Sequence, residues 1–214
     1  MIQAILFDMD GVLIDAEIWH YDALNKALAL FGFEISRYEH VTTFNGLPTS
    51  KKLEMLSVTS NLPRGLHRII NKLKQAYTMD IVHEQCRPRF IHEYALSMLR
   101  ARGYKLAVAS NSIRATVQTM MQKAKLDGYL DFMLSNEDVI EAKPSPEIYI
   151  KAMQLLNCKP EHTLILEDNE NGIRAARASN AHVLEIQHVN DVNFDHIMQA
   201  IRRAEQPVEE LCHD

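Results

Sequence analysis

The sequence predicts an α/β protein whose mostly parallel sheet is interrupted, after its first strand, by an all-helical block. Two observations carry this. From about residue 86 onward, short apolar runs alternate with segments of helical period. Between about 15 and 85 the rhythm stops, and the stretch reads as helices with no convincing strand. Strands that alternate with helices need crossover connections, which produce a doubly wound, mostly parallel sheet. An insert with its own small core is the simplest account of the interruption. At 214 residues the chain is long enough for one sizeable core carrying such an insert. The expected division is a core of 1–15 and 86–214 and a helical cap of 16–85.

In chain order, the run Ile2-Gln3-Ala4-Ile5-Leu6-Phe7 is short, apolar and bounded by Gly11, as a buried strand is. Ile18, Trp19, Ala23, Leu24, Ala27, Leu28, Leu30 and Phe31 then make a helical stripe, stopped by Gly32. Further helices are broken at Asn45-Gly46-Leu47-Pro48 and Asn61-Leu62-Pro63. Thr49 or Ser50 is expected to cap a helix through Leu53 and Leu56, and a longer helix is expected from Pro63 to about Thr78. A helix over 90–102 ends at Gly103, followed by a strand over 105–109 and a helix to about 124. A short strand at 132–134 precedes a helix over 146–156, with Pro146 in its first turn. The strand at 163–166, the helix through 173–178, the strand at 183–186 and a helix near 194–204 complete the core. The polar tail from Gln206 is expected to fray.

Composition narrows the function. With 47% hydrophobic and 24% charged residues the chain is an ordinary globular one. Its formal charge of −5, with no basic stretch interleaved with aromatics, argues against nucleic acid as a partner. No charged n-region opens the chain, and no apolar run approaches membrane-spanning length, so no membrane partner is expected. Cys86, Cys158 and Cys212 are far apart and odd in number, which fits neither a disulfide framework nor a CxxC metal site. Buried or half-buried thiols in a reducing compartment follow, and the expected location is cytoplasmic.

Polar residues collect where strands end. Phe7-Asp8-Met9-Asp10-Gly11-Val12 sets two carboxylates at the end of the first strand. Carboxylates this close repel each other unless a cation or a shared proton intervenes, which points to a divalent metal. Asp-x-Asp-Gly is also good turn chemistry, and on this stretch alone the acidic turn stands equally well. In doubly wound sheets, ligands bind at the carboxyl ends of the strands. There the second strand ends in Ser110-Asn111, the strand at 163–166 ends in Glu167-Asp168, and Lys143 follows the short strand at 132–134. Singly, these read as a helix cap, an acidic pair facing a helix dipole and a solvated lysine. Together they supply carboxylates for one Mg²⁺ and a lysine, a hydroxyl and amides for a dianion, the layout phosphoryl transfer requires.

These motifs resemble, in order and spacing, those of the haloacid dehalogenase superfamily: Asp8-Met9-Asp10-Gly11-Val12, Ser110-Asn111, Lys143-Pro144 and Glu167-Asp168-Asn169-Glu170-Asn171-Gly172. The resemblance is to the subgroup with a helical cap after the first motif, which includes β-phosphoglucomutase and many sugar-phosphate phosphatases. It implies a Rossmann-like core and a cap that closes over the site, hinged near 13–16 and 86–89. It implies Asp8 as the nucleophile that forms an aspartyl-phosphate, and Asp10 as general acid and then base. Mg²⁺ would be held by Asp8, Asp10 and Asp168, with Glu167 a further candidate. Ser110, Asn111 and Lys143 would bind the phosphoryl group, assisted by amides of Met9, Asp10 and Asn111. Gly172 fits the family's close helix packing. His20 matches a hinge-proximal histidine of the mutase and is a candidate substrate contact, and a core-edge role is equally open.

The sequence also departs from the family. Ala16, Arg89 and Ala142 replace residues that concern cap contacts and loop geometry, not chemistry. The mutase has a lysine before the cap-loop glycine and an arginine three residues after it, to grip a second phosphate; here Asn45 and Thr49 stand there. Lys51 or Lys52 could substitute for that clamp, but both are expected to be solvated helix residues. The expected function is therefore a Mg²⁺-dependent phosphatase of a small phosphorylated metabolite such as a sugar phosphate, acting as a monomer or weak dimer. The alternatives are a phosphohexomutase and a non-catalytic metabolite sensor, against which the competent residues at every catalytic position speak.

Overall fold

All four residues of β1 (Ala4–Phe7) are buried, as a strand covered on both faces requires. It is the middle strand of a five-stranded, all-parallel sheet with β2 (Lys105–Ala109), β3 (Phe132–Leu134), β4 (Thr163–Glu167) and β5 (His182–Glu185), in the order β3-β2-β1-β4-β5. The computed structural model describes residues 1–206; Cys212 and the tail beyond Gln206 lie outside the described residues. Cys86 is buried and Cys158 half-buried, both as free thiols.

Side chains alternate along each strand, so the sheet feeds two cores. Ile5, Phe7, Leu106, Val108, Leu164 and Leu166 face a core shared with α5 (Phe90–Ala101), α6 (Arg114–Lys123) and α9 (Phe194–Glu205). Ala4, Leu6, Ala107, Ala109 and Ile165 face the other, closed by α7 (Glu147–Leu156) and α8 (Glu170–Ala178). The chain builds outward from β1 through β2 to β3, then returns to build β4 and β5 on the other side of β1. The crevice at that reversal lies outside the carboxyl ends of β1 and β4, where doubly wound sheets take their ligands.

Between β1 and α5 lies the all-helical cap: α1 (Glu17–Ala29), the single turn α2 (Arg37–Glu39), a π-helical turn at His40–Phe44, α3 (Thr49–Thr59) and α4 (His67–Gln85). Leu24, Leu28, Ile35, Phe44, Leu53, Leu56, Leu62 and Ile70 give it a core of its own. Three expectations are corrected here. α3 starts at Thr49 with Pro48 as its N-cap and no side-chain cap bond, so neither Thr49 nor Ser50 caps it. α4 runs to Gln85, well past Thr78, because its buried face continues at four-residue spacing through Ile70, Lys74, Thr78 and Val82. Val82 then packs into the core of the sheet. Pro146 is the N-cap of α7 and precedes its first turn.

Candidate active site

Asp8 is the first residue beyond β1, and it is only 4% exposed. Its Oδ1 accepts a hydrogen bond from Lys143 Nζ at 2.6 Å, while the same ammonium donates to Glu167 Oε1 at 2.6 Å and to the Ala109 carbonyl at 2.8 Å. Three donors meet three acceptors, so the buried lysine is fully satisfied. Burial alone would lower its pKa, but Asp8 and Glu167 raise it above the ordinary value and keep it charged. Burial pushes the Asp8 carboxyl well above the usual carboxylate range; Lys143 opposes this, and Glu167, Asp168 and Asp10 add to it.

Glu167, at the end of β4, is fully buried. Its Oε1 also accepts the Tyr149 hydroxyl, and its Oε2 accepts the Asp168 amide at 3.2 Å and Asn169 Nδ2 at 3.4 Å. Gly172, in the first turn of α8, lies against this carboxylate: a Cβ there would sit 2.0 Å from Glu167 Oε1. The close packing expected of Gly172 is therefore a contact with the site's buried acid. Asn169 caps α8 by accepting the Gly172 amide at 3.0 Å and donates to Asp168 Oδ1 at 3.0 Å.

One oxygen each from Asp8, Glu167 and Asp168 lie within 4.8 Å of one another. Burial and the neighbouring Glu167 push Asp168 up to about 7. Clustered carboxylates with, among the described residues, Lys143 as their one bonded cation form an all-oxygen donor set with excess negative charge, which fits a hard divalent cation such as Mg²⁺. Because Glu167 already serves Lys143 and Tyr149, Asp8 and Asp168 offer the freer oxygens.

Asp10 turns its side chain the other way, toward the cap. Its Oδ2 accepts Ser112 Oγ at 2.8 Å, and its Oδ1 lies 3.2 Å from His20 Nε2, an ion-pair distance that is off line for a hydrogen bond. His20 Nδ1 lies 3.0 Å from Lys74 Nζ. An ammonium has no lone pair, so Nδ1 accepts and the proton of neutral His20 sits on Nε2, facing Asp10. Burial, then the charge of Lys74, hold His20 below its usual pKa despite Asp10. Burial would raise Asp10, but His20, Ser112 and Lys74 outweigh it and leave the carboxyl below its ordinary range. His20 thus lies in the cavity wall between Asp10 and Lys74.

Ser110 is buried at the end of β2, where its Oγ accepts the Ser112 amide at 3.0 Å. Asn111 ties loops together: its Oδ1 accepts the Lys143 amide at 3.0 Å and its Nδ2 donates to the Gly46 carbonyl of the cap at 2.9 Å. Among the described residues the main-chain amides of Met9, Asp10 and Asn111 have no protein acceptor. Free amides at the ends of β1 and β2 make a concavity suited to phosphoryl oxygens.

The cavity over these groups measures about 130 Å³. Its floor includes Asp8, Asp10, Ser110, Lys143 and Asp168, and its cap-side wall includes His20, His40, Lys52, Asn71 and Lys74. Lys51 is exposed as expected, but Lys52 is buried in that wall, which corrects the expectation for it. Sequence reasoning also passed over Ser112, Tyr149, His40, Asn71 and Lys74. Lys74 had a readable signal, since it interrupts the apolar four-residue spacing of α4.

The haloacid dehalogenase-like hydrolase family model matches residues 5–186. The chain belongs to this family. A phosphoglycolate phosphatase from Aquifex aeolicus is 30% identical over 82% of this chain and 80% of its own length. A phosphorylated carbohydrates phosphatase from Thermotoga maritima is 28% identical over 83% and 81%. The crystal structure of a β-phosphoglucomutase from Clostridium difficile superposes with a TM-score of 0.83 at 21% identity, covering 95% of this chain and 98% of that one, which shows the shared fold. Family membership and these relatives make the protein a hydrolase of phosphoric monoesters, a phosphatase. Among its described residues no helix of this hydrolase is long and apolar enough to cross a membrane.

Proposed function

We propose that this hydrolase is a Mg²⁺-dependent phosphatase of a small phosphorylated metabolite, such as a sugar phosphate, acting through an aspartyl-phosphate. The observation that carries the reading is the Asp8 carboxylate at the end of β1. Lys143 pins its Oδ1, and its Oδ2 has no protein partner among the described residues, which leaves one oxygen for attack. Mg²⁺ bound by Asp8, Asp168 and the main-chain carbonyl of Asp10 would offset the repulsion between a carboxylate and a dianionic ester. Ser110 and the amides of Met9, Asp10 and Asn111 hold the phosphoryl oxygens in line, and Lys143, whose donors hold Asp8, Glu167 and the Ala109 carbonyl, contributes its charge beside them. Asp8 Oδ2 forms a bond to phosphorus as the bond to the leaving oxygen breaks, and Asp10, a carboxylate in the free site that takes up a proton as the anionic ester binds, gives that oxygen its proton. The resulting carboxylate of Asp10 then takes a proton from water, which attacks the aspartyl-phosphate and releases inorganic phosphate. His20 and Lys74 position Asp10 for both transfers. Glu167 acts through Lys143, which it holds in place with Tyr149.

The names of the two relatives, one acting on phosphorylated carbohydrates and one on phosphoglycolate, support a small ester, and so does a cavity of about 130 Å³, below the roughly 300–1,000 Å³ of sites for drug-sized ligands. In this reading 16–85 is the moving cap on a core of 1–15 and 86–214, and the protein works in the cytoplasm as a monomer or weak dimer. Phosphate release from a panel of phosphorylated metabolites with Mg²⁺ tests it. Asp8→Asn should lose turnover by roughly three orders of magnitude or more while keeping its fold. Turnover within tenfold of wild type would remove Asp8 as the nucleophile.

A further inference from the structure

Lys52 lies on the buried face of α3 with Leu53 and Leu56, and its side chain enters the cavity wall rather than solvent. Among the described residues its ammonium has neither a hydrogen-bond acceptor nor a carboxylate within ion-pair distance, although it is only 7% exposed. An unpaired buried cation is costly, and such groups are retained where they meet a charge during function. A second observation points to the same place. Both ring nitrogens of His40, 2% exposed, lack a partner, as does Oδ1 of Asn71, and both residues line this cavity beside Lys52.

The other cations of the cavity are engaged. Lys143 serves Asp8 and Glu167 on the floor, and Lys74 bonds His20, which faces Asp10. Of the carboxylates near the cap-side wall, Glu17 takes the Asn45 amide at 3.5 Å and Asp10 takes Ser112. The phosphoryl group has the Ser110 hydroxyl, three free amides and the nearby charge of Lys143 on the floor, so a cation on the cap side is surplus to one phosphate. We propose that Lys52, with His40 and Asn71 beside it, binds a second acidic group, a carboxylate or a phosphate, on the leaving part of the substrate. The proposal rests on Asp8 as the site of phosphoryl transfer, which places that leaving part toward the cap.

Three matched esters test it. Glycerol 3-phosphate ends in a neutral hydroxymethyl group, 3-phosphoglycerate has a carboxylate there, and glycerol 1,3-bisphosphate has a second phosphate. We expect kcat/KM, and affinity measured calorimetrically on the Asp8→Asn protein, to favour at least one acidic ester over glycerol 3-phosphate by tenfold or more. The favoured one identifies the group. Lys52→Met should bring that ratio close to one, with Lys52→Gln as a second variant should the first fail to fold. A ratio near one in the wild type, an undiminished ratio in both variants, or no binding of either acidic ester overturns the proposal. If all three esters bind but none is hydrolysed, the phosphatase reading falls while the binding ratio still decides the role of Lys52.

Discussion

Gly11 shows how tightly single residues are set. Its φ of +86° lies in the left-handed region, and a Cβ would stand 2.0 Å from Asp168 Oδ2. Gly11→Ala therefore forces either the turn after Asp10 or the Asp168 carboxylate to move. We expect a cost of about 1–3 kcal/mol in urea unfolding and a drop in phosphate release of about tenfold or more. Wild-type values in both assays would contradict the contact. Asp8, Asp10, Ser110, Lys143, Glu167 and Asp168 were legible as candidates because each sits where a strand or its following loop ends, and strand ends can be read from the apolar runs. Tyr149 was not, because a tyrosine on the buried face of α7 looks like core until Glu167 is seen beneath its hydroxyl. Asn111 stays a phosphate candidate through its free main-chain amide, while its side chain serves the backbone of two loops, a use that has no signature in composition or spacing.

At the scale of elements, α3 and α4 each bury a lysine on the face that should be apolar. Burial, then the charge of Lys74, lowers Lys52 from 10.5 to about 7, with Asp10 in partial opposition. Burial lowers Lys74 to about 8. For a group whose folded pKa lies below its unfolded one, the penalty is full below the folded pKa and vanishes as pH rises through the unfolded value. For Lys52 that window runs from about 7 to 10.5. The penalty at neutral pH is on the order of a few kcal/mol. Lys52→Met should therefore raise Tm in calorimetry at pH 7 by several degrees, and the gain should shrink at pH 9.5. A fall in Tm would mean that Lys52 is a stabilising residue and not a functional one held at a cost. Lysine at a core position of a helix is what the hydrophobic period flags as an exception. Lys74 broke the pattern visibly, whereas Lys52 follows Lys51 in a polar first turn and was hidden by it. The π-helical turn at His40–Phe44 left no pattern either, since its widened turn shares the composition of an ordinary helix end.

The whole molecule was the most legible level, because alternation of strand and helix dictates a doubly wound sheet and a stretch without strands dictates a separate helical unit. How the cap meets the core was not legible, for the contact is made by side chains on main-chain groups. Asn111 Nδ2 donates to the Gly46 carbonyl at 2.9 Å and Asn171 Nδ2 to the Asn45 carbonyl at 3.3 Å. Gly46 comes so near the core that a Cβ would lie 2.3 Å from Asn169 Oδ1. The cap loop thus rests on the loops after β2 and β4, over a cavity lined by residues of both cap and core. Two hydrogen bonds of roughly 0.5–1.5 kcal/mol each are enough to shift an open–closed balance by about tenfold or more. Removing both, in Asn111→Ala with Asn171→Ala, should give a larger radius of gyration than wild type in solution scattering without ligand. Orthovanadate with Mg²⁺ should pull the two proteins back together, because an anion on the floor recruits the cap whether or not the clasp is intact. Identical scattering curves without ligand would mean that the hinges near 13–16 and 86–89, and not the clasp, set the position of the cap.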